Sequence, residues 1–316
     1  MKFDKKKIII ISMIASAVFV VVCMIALYFV SVSIYDGSFN YRCETSQEDA
    51  LKIEQFPTLK RERHTFKSKQ KQTLVGYLYQ SADESQTEKG VVVFAHGLGA
   101  GGQTGYLDIF DVLVQNGYYV FAYDATANDE SEGDVVGGLP QGFIDLDYAI
   151  SYAQTIEEIK DLPFVLMGYS WGGLSVCNAL NYHPEVKAVA SLAGWDKSMD
   201  LIEYRGCQMT GNFAKILLPF ASLHEYFTYG KYASSTSMKG FKNSDCGVMI
   251  VHSEDDSTIP IRYGYDKYYK KYKDDPRFTF KKYEDRDHGV LTDKDGNLDK
   301  SLINEVVSFF NRYVVA

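Results

Sequence analysis

The chain has 316 residues, 46% hydrophobic and 23% charged, with a formal net charge of −8. Apolar content of that order at this length builds a packed core and excludes a disordered or collagen-like polymer. The acidic balance argues against nucleic acid, whose phosphates need a positive surface, and five cysteines are too few for a disulfide framework to replace a core.

The first element in the chain is apolar. From Ile8 to Tyr35 there are 28 consecutive residues without Asp, Glu, Lys or Arg. As a helix the run is roughly 42 Å long, enough to cross a hydrocarbon core of about 30 Å. Lys2, Lys5, Lys6 and Lys7 precede it against Asp4, and Asp36, Glu44, Glu48 and Asp49 follow. Positive charge is retained on the cytoplasmic side of a membrane. Residues 1–7 therefore read as a cytoplasmic tail, 8–35 as a single-pass anchor in the cell membrane, and the remainder as extracytoplasmic. The rival is a signal peptide cut near Ser31-Val32-Ser33, but a signal's apolar core runs only about 7–15 residues. Cys23 lacks the small residues that precede a lipid-modified cysteine and reads as an apolar helix residue. Without residues 1–35, and so without four lysines and one aspartate, 281 residues remain, with 29 basic and 40 acidic side chains and a net charge of −11. Outside the cell Cys207 and Cys246 could pair, although buried free thiols suit Cys43, Cys177, Cys207 and Cys246 better.

Residues 36–57 are polar and read as a connector with a short helix around Glu48–Gln55. Residues 58–316 read as one domain. Arg61–Ser68 and Thr73–Gln80 form a hairpin across Lys69-Gln70-Lys71. Further strands are expected at Val91–Ala95, Tyr118–Tyr123, Phe164–Met167, Val186–Leu192, Val248–Val251 and Phe278–Tyr283. Between them lie helical patterns at Tyr106–Gln115, Gly142–Thr155, Leu174–Asn181, Tyr263–Lys273 and Leu302–Tyr313. Strands apolar on both faces and alternating with helices imply a mostly parallel sheet covered on both sides, opened by two antiparallel strands. The rhythm breaks at about residues 200–245. This stretch is rich in aromatics (Tyr204, Phe213, Phe220, Tyr226, Phe227, Tyr229 and Tyr232) and reads as a cap over the C-terminal edge of the sheet.

The chemistry concentrates around Gly168-Tyr169-Ser170-Trp171-Gly172, a Gly-x-Ser-x-Gly turn between an apolar strand and a helix. Glycines at the flanks allow a tight turn that exposes the Ser170 hydroxyl. A serine hydroxyl needs a base to take its proton and a third group to orient that base, in the chain order Ser, acid, His. His288 lies in a loop after the last strand. His183, His224 and His252 read as loop, cap and strand-end residues. Asp256 follows the strand at Val248–Val251, with Asp255 its competitor, while Asp285 and Asp287 serve the loop itself.

These pieces resemble the α/β-hydrolase superfamily over about Leu59–Tyr313. The matching residues are Val91–Ala95 with His96-Gly97, the Gly168–Gly172 turn, Asp256-x-x-Ile259-Pro260, and His288-Gly289. The resemblance implies an eight-stranded, mostly parallel sheet with helices on both faces and a helical cap insertion, behind the N-terminal transmembrane helix. It places the acid at Asp256 and an oxyanion hole at the backbone N–H groups of Leu98 and Trp171. The implied reaction is cleavage of carboxylic esters through an acyl-enzyme, with no cofactor. The turn also resembles prolyl-oligopeptidase-type peptidases, whose propeller does not fit this length. A Gly-rich turn usual after the fourth strand survives only as Glu130-Ser131-Glu132-Gly133, a loop that shapes the pocket in the superfamily. The aromatic cap suggests an acyl or lipid-like substrate.

Other chemistries compete with this one. Gly97-Leu98-Gly99-Ala100-Gly101-Gly102 satisfies Gly-x-Gly-x-x-Gly, and Asp124 follows at the distance of a ribose-binding acid. Gly105 prolongs that loop where a phosphate-binding helix should already run. No His-x-x-x-His or Cys-x-x-Cys spacing suggests zinc. A small serine peptidase or amidase, and a non-catalytic binding domain on the same fold, are the alternative readings.

Overall fold

The computed structural model describes residues 5–99 and 101–314; the expectations on Lys2, Asp4 and Ala100 fall outside the described residues. The apolar N-terminal run forms α1 (Lys5–Ser38), with every side chain from Lys5 to Val22 exposed. Its last turns behave differently. Ser31 and Tyr35 are buried against the cap, where Ser31 Oγ donates to Leu217 O at 3.0 Å and Tyr35 OH to Glu225 Oε1 at 2.6 Å.

The body is an eight-stranded sheet in the order β1-β2-β4-β3-β5-β6-β7-β8. Its strands are β1 (Leu59–Lys67), β2 (Thr73–Ser81), β3 (Gly90–Ala95), β4 (Tyr118–Tyr123), β5 (Phe164–Tyr169), β6 (Ala188–Leu192), β7 (Gly247–Ser253) and β8 (Phe278–Tyr283). β2 is antiparallel to both β1 and β4, and the other pairings are parallel. The hairpin therefore contributes a single reversed strand, because β1 turns back into the direction of the rest.

Alternate side chains of the central strands feed two cores. Val91, Val93 and Leu166 join the face covered by α3 (Gln141–Ala153), α4 (Trp171–Ala179) and α8 (Tyr265–Tyr272). Val92, Phe94 and Val165 join the face covered by α2 (Leu107–Gln115) and α9 (Lys300–Val314). Burial on both sides is why these strands read as unbroken apolar runs.

Between β6 and β7 the cap rises as α5 (Ser198–Thr210), α6 (Ala214–Tyr229) and α7 (Ser237–Asn243). One expectation about the connector needs correction. The connector holds only a 3₁₀ turn at Ile53–Gln55 rather than a helix over Glu48–Gln55; its residues are spent tying the chain to the loop after β3, with Leu51 N bonded to Thr104 O. The cysteines are free thiols, the favoured reading, with Cys43, Cys177 and Cys246 buried and Cys207 partly so.

Candidate active site

The order of strands reverses at β3, since β4 lies to one side of it and β5 to the other. Loops leaving the carboxyl ends of β3 and β5 diverge there and open a crevice, the usual ligand site of such sheets. Ser170 sits in that crevice between β5 and α4, with φ +55°. This left-handed conformation is costly for a residue with a side chain and is held by its surroundings. Ser170 N donates to Leu192 O at 2.8 Å. A Cβ at Gly168 would stand 2.3 Å from Gly172 O, and one at Gly172 would stand 1.9 Å from Ala95 O. The glycines are required by backbone packing, Gly172 against β3 and Gly168 against the start of α4, which forces the turn and lifts the hydroxyl clear.

Three residues far apart in the chain meet at this turn. Ser170 Oγ is 2.8 Å from His288 Nε2, and His288 Nδ1 is 2.8 Å from Asp256 Oδ2. Asp256 is buried. Its Oδ1 accepts from Thr258 N at 2.9 Å and Ile259 N at 2.7 Å. His252 Nε2 also approaches Asp256 Oδ2, at 3.1 Å, while bonding Ile259 O at 2.9 Å. Burial alone would raise the Asp256 pKa. The hydrogen bonds from His252 and His288, the charge on His288 and the Ile259 N–H outweigh it and hold the carboxyl well below the usual range.

Asp255 takes no part in this chain of bonds. It accepts from Ser253 Oγ at 2.5 Å and Asp287 N at 3.0 Å, and Asp287 in turn accepts from Ser257 N at 2.7 Å. The two fasten the β7 and β8 loops to each other. Leu98 borders the same cavity as Ser170 and His288, and Trp171 opens α4 with its indole N–H on Leu139 O at 2.8 Å. Trp171 N–H is among the first donors of a helix, which have no partner within it. His96 supports the Leu98 loop from below, with Nδ1 bonded to Gly97 O at 2.8 Å and Nε2 accepting from Ala125 N at 3.0 Å. Complete burial lowers its pKa, so it is held neutral.

The cavity over Ser170 encloses about 550 Å³. Its cap side is mostly aliphatic (Leu201, Ile202, Leu217, Leu218), with Arg205 and Thr210 of α5 on the same side, and its far wall is the end of α1 and the start of the connector, with Tyr35 and Phe39. Neither the cap aromatics named from the sequence nor Glu130–Gly133 border it. Ser131 instead bridges strands, donating to Asp124 O at 2.5 Å and accepting from Val75 N at 2.9 Å.

Sequence reasoning missed three contributors. His252 stands four residues before Asp256, a spacing without helical meaning at a strand end, so nothing marked it as a partner. Tyr169, whose hydroxyl donates to His288 O at 2.9 Å, occupies the free position of the Gly-x-Ser-x-Gly turn. The α1 wall had one faint signal, the polar Ser31, Ser33 and Tyr35 at the end of the apolar run.

A family model described as the α/β hydrolase fold matches residues 90–224. The chain has the α/β-hydrolase fold. Among solved structures, a Pyrococcus furiosus esterase superposes with a TM-score of 0.65 at 13% identity, covering 87% of this chain and 98% of its own. A Pyrococcus horikoshii acylaminoacyl peptidase gives 0.64 at 20% identity, covering 83% of this chain and 43% of its own. The α/β hydrolase GrgF from Penicillium sp. sh18 gives 0.59 at 16% identity, covering 81% of this chain and 100% of its own. No curated protein matches the chain by sequence.

Within this α/β-hydrolase frame the glycine-rich loop after β3 is closed to a dinucleotide. Gly102 N, a phosphate donor in that reading, is bonded to Asp129 Oδ2 at 3.0 Å and to Thr45 Oγ1 at 3.1 Å. Asp124, the supposed ribose acid, is buried and accepts from Gln103 N at 2.8 Å. Burial pushes its carboxyl up to about 7 in spite of that bond. A folded value above the unfolded one of about 3.9 means that stability falls as pH rises from about 4 to about 7. Urea unfolding of the unsubstituted chain is expected to show that loss between pH 5 and pH 8, and Asp124→Asn should show less of it.

Proposed function

We propose that the protein is a membrane-anchored serine hydrolase that cleaves carboxylic esters with acyl or lipid-like chains. The observation that carries the reading is the pair of 2.8 Å contacts joining Ser170, His288 and Asp256 at the floor of an apolar cavity. In this mechanism Ser170 Oγ attacks the ester carbonyl as His288 Nε2 takes its proton, and Asp256 keeps the other imidazole N–H oriented. The N–H groups of Leu98 and Trp171 receive the oxyanion, an effect worth roughly 3–4 kcal/mol for each donor. The proton on His288 then passes to the leaving alcohol. Water, activated by the same imidazole, hydrolyses the acyl-enzyme, and no cofactor enters.

A fluorophosphonate probe should label Ser170 and nothing else in the chain, and a panel of esters, amides and peptides should show the esters cleaved fastest. Absence of labelling would return the protein to a non-catalytic binding domain. Faster turnover of amides or peptides would favour the peptidase reading.

The anchor reading places residues 1–7 in the cytoplasm, residues 8–35 across the cell membrane and the body outside. It is supported by the exposed apolar surface of α1 and by the way its end is tied to the cap. Cutting near Ser31–Ser33 would break a helix whose Ser31 and Tyr35 are buried in that contact. An epitope fused to the N-terminus should survive protease added to intact cells while the body is digested. Digestion of the epitope would reverse the orientation.

A further inference from the structure

The cap helix α6 is apolar on two sides. Ala214, Leu217, Ala221, Glu225 and Tyr229 are buried toward the cavity and the body. On the other side Ile216, Leu223 and Phe227 recur at helical spacing. Ile216 is 51% and Phe227 68% exposed. Phe213 and Met209, the latter 76% exposed, extend the same apolar character toward the end of α5. A helix apolar all round belongs in a core or in lipid, and a patch of this kind facing water is a liability unless something covers it.

What covers it is indicated by α1. Phe220 and Leu223 share an apolar groove with Val21, Met24, Ile25 and Phe29. Those α1 residues lie about 20 to 32 Å along the helix axis from Ile8, in the far half of a hydrocarbon core about 30 Å thick. Two turns beyond, Asp36 pairs with His224 Nε2 at 2.7 Å, which sets the polar boundary beside the same helix. The exposed side of α6 is therefore level with lipid, and its buried side is a wall of the cavity above Ser170.

We infer that α6 lies in the leaflet on the body's side of the membrane, with Ile216, Leu223 and Phe227 among the acyl chains. The cavity walled by α1 on one side and α6 on the other receives a long-chain ester from that leaflet. This rests on the hydrolase and anchor readings above and narrows them to a substrate resident in the bilayer. Ile34 and Phe39 on one wall and Leu217 and Ala221 on the other give an acyl chain an apolar path to Ser170. An amphipathic helix lying in an interface gains from each apolar side chain it buries there.

The test uses the full chain in phosphatidylcholine vesicles. Tryptophan emission in Leu223→Trp and Phe227→Trp should be quenched by brominated phosphatidylcholine well beyond that of the unsubstituted chain, whose Trp171 and Trp195 are buried. Tyr269→Trp, at an exposed position of α8, should not be quenched. Replacing Ile216, Leu223 and Phe227 together by serine should lower turnover of a long-chain monoacyl ester held in the vesicles about tenfold or more, while soluble p-nitrophenyl acetate stays within about twofold. Unquenched emission, or an equal fall on both esters, would overturn the inference. Quenching is read without turnover, so a protein that cleaves no ester at all would contradict the hydrolase reading and leave the seating of α6 separately visible.

Discussion

Ser170→Ala is expected to lower kcat for a p-nitrophenyl ester by about 10⁶-fold, with no change in folding. Among the described residues the hydroxyl's hydrogen bond is that to His288 Nε2 at 2.8 Å, which serves the reaction rather than the fold. The strained backbone at residue 170 is set by the glycines around it and by Ser170 N on Leu192 O. His288→Ala should cost about as much, because an unassisted serine hydroxyl is a poor nucleophile at neutral pH. Groups that act as one unit are not additive, so the double variant should be no slower than either single one. Unchanged ester turnover in Ser170→Ala, with the circular dichroism spectrum preserved, would remove the residue from the reaction.

Asp256→Asn should lower kcat by about 10⁴-fold, whereas Asp255→Asn should stay within about tenfold. The reason lies in what each oxygen accepts. Asp256 Oδ2 faces both His288 Nδ1 and His252 Nε2, and Oδ1 faces the N–H groups of Thr258 and Ile259. An amide NH₂ placed at either position would meet donors, so His288 would lose its orientation whichever way the side chain turned. Asp255 is exposed and accepts from Ser253 Oγ and Asp287 N, neither of them a histidine. Because the folded Asp256 carboxyl titrates below the unfolded value of about 3.9, its contribution is complete above about pH 4 and is lost as pH falls below that. Urea unfolding at pH 7 and at pH 3 should therefore show a smaller acid loss for Asp256→Asn than for the unsubstituted chain. Equal kinetic damage at Asp255 and Asp256 would remove the basis for assigning the acid.

Much of the architecture was legible because it is written in short-range periodicity. β3 and β5 are apolar at every position because both their faces are buried, and the serine turn declares itself by glycines that backbone contacts demand. The connector misled, since a polar stretch with helix-forming residues has no local reason to avoid a helix. Its conformation follows from Thr45 and Leu51 binding the loop after β3. The cap misled in another way. Its aromatics suggested a pocket lining, and in the fold Phe213, Tyr226 and Phe227 point away from the cavity, which aliphatic residues of α5 and α6 line instead.

From residues alone one can obtain an apolar helix before an acidic body, the succession of strands and helices, and a serine, an acid and a histidine in a usable order. These follow from spacing and side-chain chemistry, which act over a few residues. Which aspartate meets His288, that His252 shares that aspartate, and that the end of α1 walls the cavity were decided by the fold. The His288 and α1 contacts join residues 32 to 190 positions apart, and even His252 and Asp256, four residues apart, meet only because the loop after β7 folds back; the packing of the sheet, the cap and α1 sets these contacts rather than any local preference.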